Sequence, residues 1–377
     1  MMGMMQRPPT PAAGERSETV PLPVRHAIVE MGEYLPVRPL EELSRDLGIP
    51  IDQLVKLDAN ENPYGCSPHV QAAIAACDQY HIYPDPEQVE LRAALSRYCG
   101  YPADWLLAGS GSDELIDLLI RLVVEPGDRV LDAVPTFGMY GFLTPIQGGV
   151  VVPVSRRPDF SLDLPALLAA IDDRTRLAFI ASPNNPTANL AARADIVRLL
   201  ETGLLVVVDE AYYEFSQETV ADLVARYENL VVLRTFSKWA GLAGIRVGYA
   251  IAAPSLLRYL WKMKQPYNVS VAGQVAARAA VDDLPHIQGT IAAILAERTR
   301  LMDLLQSVPY LRPLPSRSNF IFCPVEGRCA RHVRDELRRQ GILIRYFDTP
   351  LLNNAVRFSV GKPEHTERLR SALSALR

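Results

Sequence analysis

Thr235-Phe236-Ser237-Lys238-Trp239-Ala240-Gly241-Leu242-Ala243-Gly244-Ile245-Arg246 is the stretch on which the reading of this chain turns. It follows the aliphatic run Leu230-Val231-Val232-Leu233, so Lys238 is expected just beyond the end of a buried strand. A lysine amine can form a Schiff base with an aldehyde cofactor. A neighbouring hydroxyl, Ser237, and the planar cationic fork of Arg246 together suit a phosphate dianion. Gly241 and Gly244, lying between them, are expected to keep side chains out of a turn that passes close to a ligand. On its own this pattern also fits a solvated surface lysine, so the rest of the chain has to decide.

The 377 residues exceed one ordinary core, and at roughly 150 residues per domain they suggest two or three. A hydrophobic content of 49% excludes a mainly disordered protein. Lys+Arg at 39 against Asp+Glu at 43, a formal charge of -4, gives no electrostatic reason to expect nucleic acid or an anionic membrane as partner. Five scattered cysteines without a C-x-x-C pair support neither a disulfide framework nor a zinc site, and a reducing, cytoplasmic setting fits them best. Six histidines without an H-E-x-x-H pair, and no G-x-S-x-G elbow, argue against metal and serine hydrolases, so no metal is expected. No apolar run approaches a bilayer span, and the first residues lack the apolar segment of a signal peptide; residues 1–24 read as a loose tail.

Outward from the lysine, strands and helices alternate from Val130 to Val208, and near-continuous apolar strands between helices imply an α/β fold with a mainly parallel sheet covered on both faces. Functional residues then belong at strand ends. The loops at those ends are Pro135 to Tyr140, Ser182 to Thr187 and Asp209 to Tyr212. Asp209 directly follows five aliphatic residues, so its carboxylate is expected at a buried strand terminus and in need of a cationic partner. Upstream, Gly109-Ser110-Gly111-Ser112 feeds a helix opened by Asp113 and Glu114, whose free N–H groups make a ready anion site. Glu114 stands where a dinucleotide fingerprint has its third glycine, so that fold is disfavoured. Tyr83 lies on a proline-punctuated loop before a helix expected over Glu87 to Cys99. Pro285 to Leu305 reads as a long linking helix. Beyond it, three apolar runs around a helix from Ala330 to Gln340 read as a small α+β unit.

The ordered set DANENPYG (58–65), GSGSDE (109–114), PTFGMY (135–140), SPNNPT (182–187), DEAY (209–212), TFSK with Arg246, and RFSVG (357–361) resembles the fold type I pyridoxal-phosphate enzymes. Within that superfamily the chain is similar to the histidinol-phosphate aminotransferases, above all in Tyr83-Pro84-Asp85-Pro86 and Gly341 to Phe347. The similarity spans roughly residues 30 to 375. The resemblance implies a large cofactor domain with a seven-stranded type of sheet over residues 61–285, a smaller α+β domain over 286–377, and a segment, 25–60, that joins the smaller domain. It implies that Lys238 binds pyridoxal 5'-phosphate covalently and moves a proton, that Asp209 pairs with the ring nitrogen, and that Tyr212 and Asn185 meet the ring hydroxyl. Phe137 would stack on the ring, and Ser112, Asp113, Ser237 and Arg246 would hold the phosphate. Arg357, Arg345, Tyr83, Tyr34 and Asn60 would bind substrate, with Tyr83 reaching the neighbouring subunit's site in a homodimer. The implied reaction is amino transfer between histidinol phosphate and 2-oxoglutarate in histidine biosynthesis. An aromatic aminotransferase and a phosphothreonine decarboxylase-like enzyme remain open on the same residues. Ala188 stands where the family usually has glycine, so the turn after Asn185-Pro186-Thr187 is expected to differ, and Phe137 stands where tyrosine is common.

Overall fold

The computed structural model describes residues 22–33 and 37–376. Residues 22–33 contain one short helix, His26–Val29, and belong to a separate unit. Residues from Val37 onward fall in one compact unit with two sheets. The tail expected over residues 1–24 lies almost entirely outside the described residues.

The strands in chain order are β1 (Val55–Leu57), β2 (Leu106–Gly109), β3 (Arg129–Val134), β4 (Val150–Ser155), β5 (Thr175–Ala181), β6 (Leu205–Asp209), β7 (Leu230–Thr235), β8 (Gly248–Ala252), β9 (Phe320–Pro324), β10 (Ile342–Tyr346) and β11 (Ala355–Ser359). The seven-stranded sheet has the order β2-β8-β7-β6-β5-β3-β4, and only β8 runs antiparallel to its neighbours. Its central strands are rich in aliphatic residues because both faces are covered. Val206 and Val208 of β6 point into one core, and Leu205 and Val207 into the other. The second sheet, β1-β10-β11-β9, pairs β1 in parallel with β10 and the rest antiparallel, so residues before Leu57 complete a sheet otherwise built from the C-terminal part of the chain.

Three local expectations are corrected. The helix expected from Glu87 begins at Val89, because Gln88 is left-handed (φ 55) and the Asp85 carboxylate accepts from the Glu87 and Val89 N–H groups ahead of it. The Pro135–Tyr140 stretch is not all loop, since the helix Met139–Ile146 starts inside it. Helices over Pro68–Ala76 and Pro363–Ala375 add layers that apolar patterning had not brought out. Ala188 is fully buried and keeps a left-handed backbone (φ 62), which costs a non-glycine residue about 1–2 kcal/mol. The turn therefore stores strain at a non-glycine residue.

The end of β6 is pinned behind the site by a buried ion pair. Glu210 Oε2 accepts from Arg234 Nε at 3.0 Å and Nη2 at 2.9 Å, with both side chains at most 3% exposed. Thr219 Oγ1 also donates to Glu210, and Arg234 lies 3.5 Å from the Tyr213 ring centre. Breaking such a pair strands the other charge. Glu210→Ala is expected to lower unfolding stability by about 3–5 kcal/mol, measured by denaturant titration, whereas Glu210→Ala combined with Arg234→Met should recover much of it. A loss below about 1 kcal/mol in the single variant, the range of an exposed pair, would show that this pair does not hold the strand end.

Candidate active site

The C-terminal ends of β2, β3, β5, β6 and β7 converge on one cavity of about 570 Å³, whose far wall comes from β10, β11 and the residues after β1. This is where an open, mostly parallel sheet places its ligand. Ser112, Asp113, Phe137, Asn185, Asp209, Tyr212, Ser237, Lys238, Arg246, Arg345, Arg357 and Asn60 all line it.

One end of the cavity is built for an anion. The helix Ser112–Val123 opens there, with Gly111 at its N-cap in a left-handed-side conformation (φ 79). A Cβ on Gly111 would lie 2.5 Å from Arg246 Nη2, so only glycine lets the guanidinium reach the helix start. Arg246 Nη2 donates to Asp113 Oδ2 at 2.8 Å, and Arg246 is itself left-handed (φ 59), a strained position of the kind found at ligand sites. Ser237 is held by Thr235, whose hydroxyl donates to Ser237 Oγ at 3.0 Å and accepts from the Ser237 N–H at 3.1 Å. Gly241 packs so tightly that a Cβ would lie 2.2 Å from the Gly65 carbonyl oxygen. Gly244, expected to act likewise, faces open space, because its turn projects away from the rest of the chain. Glu114, in place of a third glycine, accepts from the Ser110 N–H and from Asn268 Nδ2, which ties down the loop ahead of the helix.

At the cavity floor Asp209 is held by two neutral donors of the protein. Its Oδ2 accepts from the Tyr140 hydroxyl at 2.6 Å and its Oδ1 from the Ala211 N–H at 3.0 Å. Neutral donors suffice because they satisfy both oxygens, although burial still pushes the carboxyl up to about 6. Lys238 Nζ makes only a 3.3 Å hydrogen bond to the Ala59 carbonyl. Burial first, and then the Arg357 cation, push this amine down to about 8. The Tyr212 hydroxyl accepts from Asn60 Nδ2 at 3.0 Å. Asn60 is left-handed (φ 56) and fastened by the Ser359 hydroxyl, which donates to its Oδ1 at 2.8 Å.

The wall opposite carries the two arginines. Arg345 and Arg357 stand directly across from each other on the antiparallel pair β10 and β11. Arg357 is buried and donates to the Asp58 carbonyl at 2.6 Å and to Asn185 Oδ1. Arg345 lies 5.7 Å from the Phe347 ring and has no carboxylate partner among the described residues. Like charges opposed across a strand pair destabilise it, and an anion placed between them would relieve that.

Two of the expected residues are not part of this gathering. Tyr34 lies outside the described residues. Tyr83 does not line the cavity of its own chain; it is 78% exposed and stacks on Tyr267 at 4.5 Å. Two residues had gone unnoticed, Asp132, which lines the cavity, and Tyr140, which lies behind it and donates to Asp209. A buried Asp inside the run Val130 to Ala133 was a signal available for the first, whereas nothing in the sequence distinguished Tyr140 from a loop tyrosine.

The model of the aminotransferase class I and II family matches residues 52–373. Histidinol-phosphate aminotransferase of Roseiflexus castenholzii is 47% identical over 359 residues, which cover 93% of this chain and 97% of the relative. The chloroplastic histidinol-phosphate aminotransferase of Nicotiana tabacum is 46% identical over 353 residues, covering 93% and 86% respectively. The chain belongs to the histidinol-phosphate aminotransferase family. A crystal structure of the Sinorhizobium meliloti histidinol-phosphate aminotransferase in complex with pyridoxal-5'-phosphate superposes with a TM-score of 0.86 at 29% identity, over 96% of this chain and 100% of that one.

For an aminotransferase of this family the depressed Lys238 amine has a direct consequence. Labelling of Lys238 in the cofactor-free protein by an amine-directed acylating reagent, followed by peptide mass spectrometry, should rise with pH to a midpoint near 8. Arg357→Gln should move that midpoint upward by removing a neighbouring positive charge. A midpoint near the ordinary 10.5 in the unaltered protein would contradict the assigned environment.

Proposed function

We propose that this protein is a pyridoxal-phosphate-dependent transaminase that moves an amino group between histidinol phosphate and 2-oxoglutarate, the donor for regeneration being glutamate. The observation that carries the substrate assignment is the opposed pair Arg345 and Arg357. The floor of the cavity already provides an anion cradle and a lysine, and this pair adds a second cationic wall to the same cavity.

The residues present fit the cofactor. Its phosphate would take the Ser112 and Asp113 N–H groups, which have no partner inside their helix, together with Ser237 Oγ and Arg246. Asp209 would pair with the pyridine nitrogen, Tyr212 and Asn185 would meet the ring hydroxyl, and Phe137 would stack on the ring. Pyridoxal phosphate, when bound, supplies an electron-withdrawing ring on which a substrate amino carbon can lose its proton. Lys238 Nζ would hold the cofactor covalently and, once released, take that proton and return it, a task suited to an amine near neutral pKa. Arg357 and Arg345 would grip the carboxylate of glutamate or the phosphate of histidinol phosphate, since guanidinium forks accept either anion. Asn60 would fix Tyr212 from the substrate side.

The reading includes a division into a larger cofactor lobe and a smaller C-terminal lobe, and a cytoplasmic setting in keeping with five unpaired cysteines. It also includes a homodimer in which the exposed Tyr83 enters the neighbour's cavity. No helix among the described residues is long and apolar enough to cross a membrane.

Catalytic efficiency with histidinol phosphate should exceed that with phenylalanine or tyrosine. Arg345→Ala should lose more on the phosphorylated substrate than on an aromatic amino acid, on the order of tenfold or more for a lost charge-assisted contact. Preference for an aromatic amino acid, or release of carbon dioxide from phosphothreonine, would redirect the assignment. For the dimer, sedimentation should give twice the 41.7 kDa chain mass. Mixing inactive Lys238→Ala with inactive Tyr83→Ala chains should regain activity in hybrids, and an active monomer would exclude sharing.

A further inference from the structure

Tyr140 stands out among the buried titratable groups because the scheme above gives it no task. It sits in the first turn of the helix Met139–Ile146, fully buried, with its ring stacked on Phe179 at 4.5 Å and edge-on to Phe137 at 5.6 Å. Those contacts fix the ring, so its hydroxyl has one direction, and it donates to Asp209 Oδ2 at 2.6 Å. The Ala211 N–H takes the other oxygen. An ionised carboxylate accepts both bonds without conflict, whereas a protonated one must give up acceptor capacity at one oxygen.

The floor is otherwise hostile to a second negative charge. Asp132 on β3 is 5% exposed, lines the same cavity, leaves its Oδ1 without a hydrogen-bond partner, and acts electrostatically on the Tyr140 phenol. Burial pushes its carboxyl up to about 7. The other charged or titratable groups around Asp209 are Lys238 after β7, Asp113 at its helix start and Tyr212 after β6. Arg156, just past β4, acts on Asp132 and Tyr140. Among these, Tyr140 is the side chain that donates to Asp209.

We propose that Tyr140 is a positioning residue for Asp209: its hydroxyl fixes the carboxylate's rotamer and keeps it ionised, so that the floor can pair with a protonated pyridine ring. This rests on the reading of Asp209 given above. A donor bound to the charged form lowers a carboxyl's proton affinity. Removing it raises that affinity, so Asp209 becomes neutral at a higher pH and the ring nitrogen loses its partner there.

The test is the pH dependence of pyridoxal-phosphate affinity for the cofactor-free full-length protein, followed by fluorescence quenching, with kcat and KM of the reconstituted protein alongside. Tyr140→Phe keeps the ring contacts and removes only the hydroxyl. It should move the pH below which affinity falls upward by about one unit and weaken binding roughly tenfold below that point; kcat should fall with KM for the amino donor little changed. Tyr140→His, which retains a ring donor, should return the limb toward its original position, and this variant carries the test should Tyr140→Phe fail to fold. If Asp209→Asn abolishes the acid limb while Tyr140→Phe, or Tyr140→His in its stead, leaves affinity and limb as in the unaltered protein, the positioning role is overturned and the Asp209 reading stands. If Asp209→Asn itself leaves the limb unchanged, the Asp209 reading falls and the proposal with it.

Discussion

A carboxylate at the end of an aliphatic strand is the constraint around which this molecule is arranged. Asp209 completes a strand whose preceding residues are all buried, so its charge has no solvent to turn to. Two donors from different elements make the position tolerable, the Tyr140 hydroxyl from a neighbouring helix and the Ala211 N–H from the turn that follows. Both require the β3 and β6 strand ends to be held in register, which the parallel ladder through β5 does. The Arg234–Glu210 pair anchors the next residue from behind. The cost of burying one charge thus explains several features of the fold that have no direct contact with a ligand.

Positive charge is distributed in the complementary way. Lys238 is buried and feels the Arg357 cation and, less strongly, the Arg246 cation, so its ammonium form is disfavoured by burial and by like charge together. On the proposed reading the arginines serve two anion positions, one at a helix N-terminus and one on a β-strand wall. A small molecule carrying phosphate, ring and aldehyde fits the first, and an amino compound with its own anionic group fits the second. Around the site, glycine is needed where backbone or guanidinium comes close, as at Gly111, Gly241 and Gly248.

Much of this was legible because strand ends are punctuated. Asp209 directly follows an apolar run, Ser237-Lys238, Asn185 and Phe137 come within a few residues of one, and their convergence follows from the parallel sheet. The arginines of β10 and β11 were legible as residues but not as a facing pair, because register between antiparallel strands depends on the loop joining them. Tyr140 escaped notice for a similar reason: proline and glycine around Phe137 read as loop, yet the helix begins two residues later and turns that tyrosine inward. The burial of Asp209 was legible from its hydrophobic context, whereas the Tyr140 and Ala211 donors that hold it were not. Tyr83 was legible as an exposed loop residue, and it is exposed.

The central claim is that the cavity lined by Lys238 holds two anions at separate positions, and a crystal structure with pyridoxal phosphate and histidinol phosphate bound tests it most directly. The account expects the cofactor phosphate at the Ser112 and Asp113 N–H groups with Ser237 and Arg246, and the substrate phosphate between Arg345 and Arg357. Density for the cofactor phosphate on the Arg345–Arg357 wall, or for the substrate phosphate away from both arginines, would contradict it.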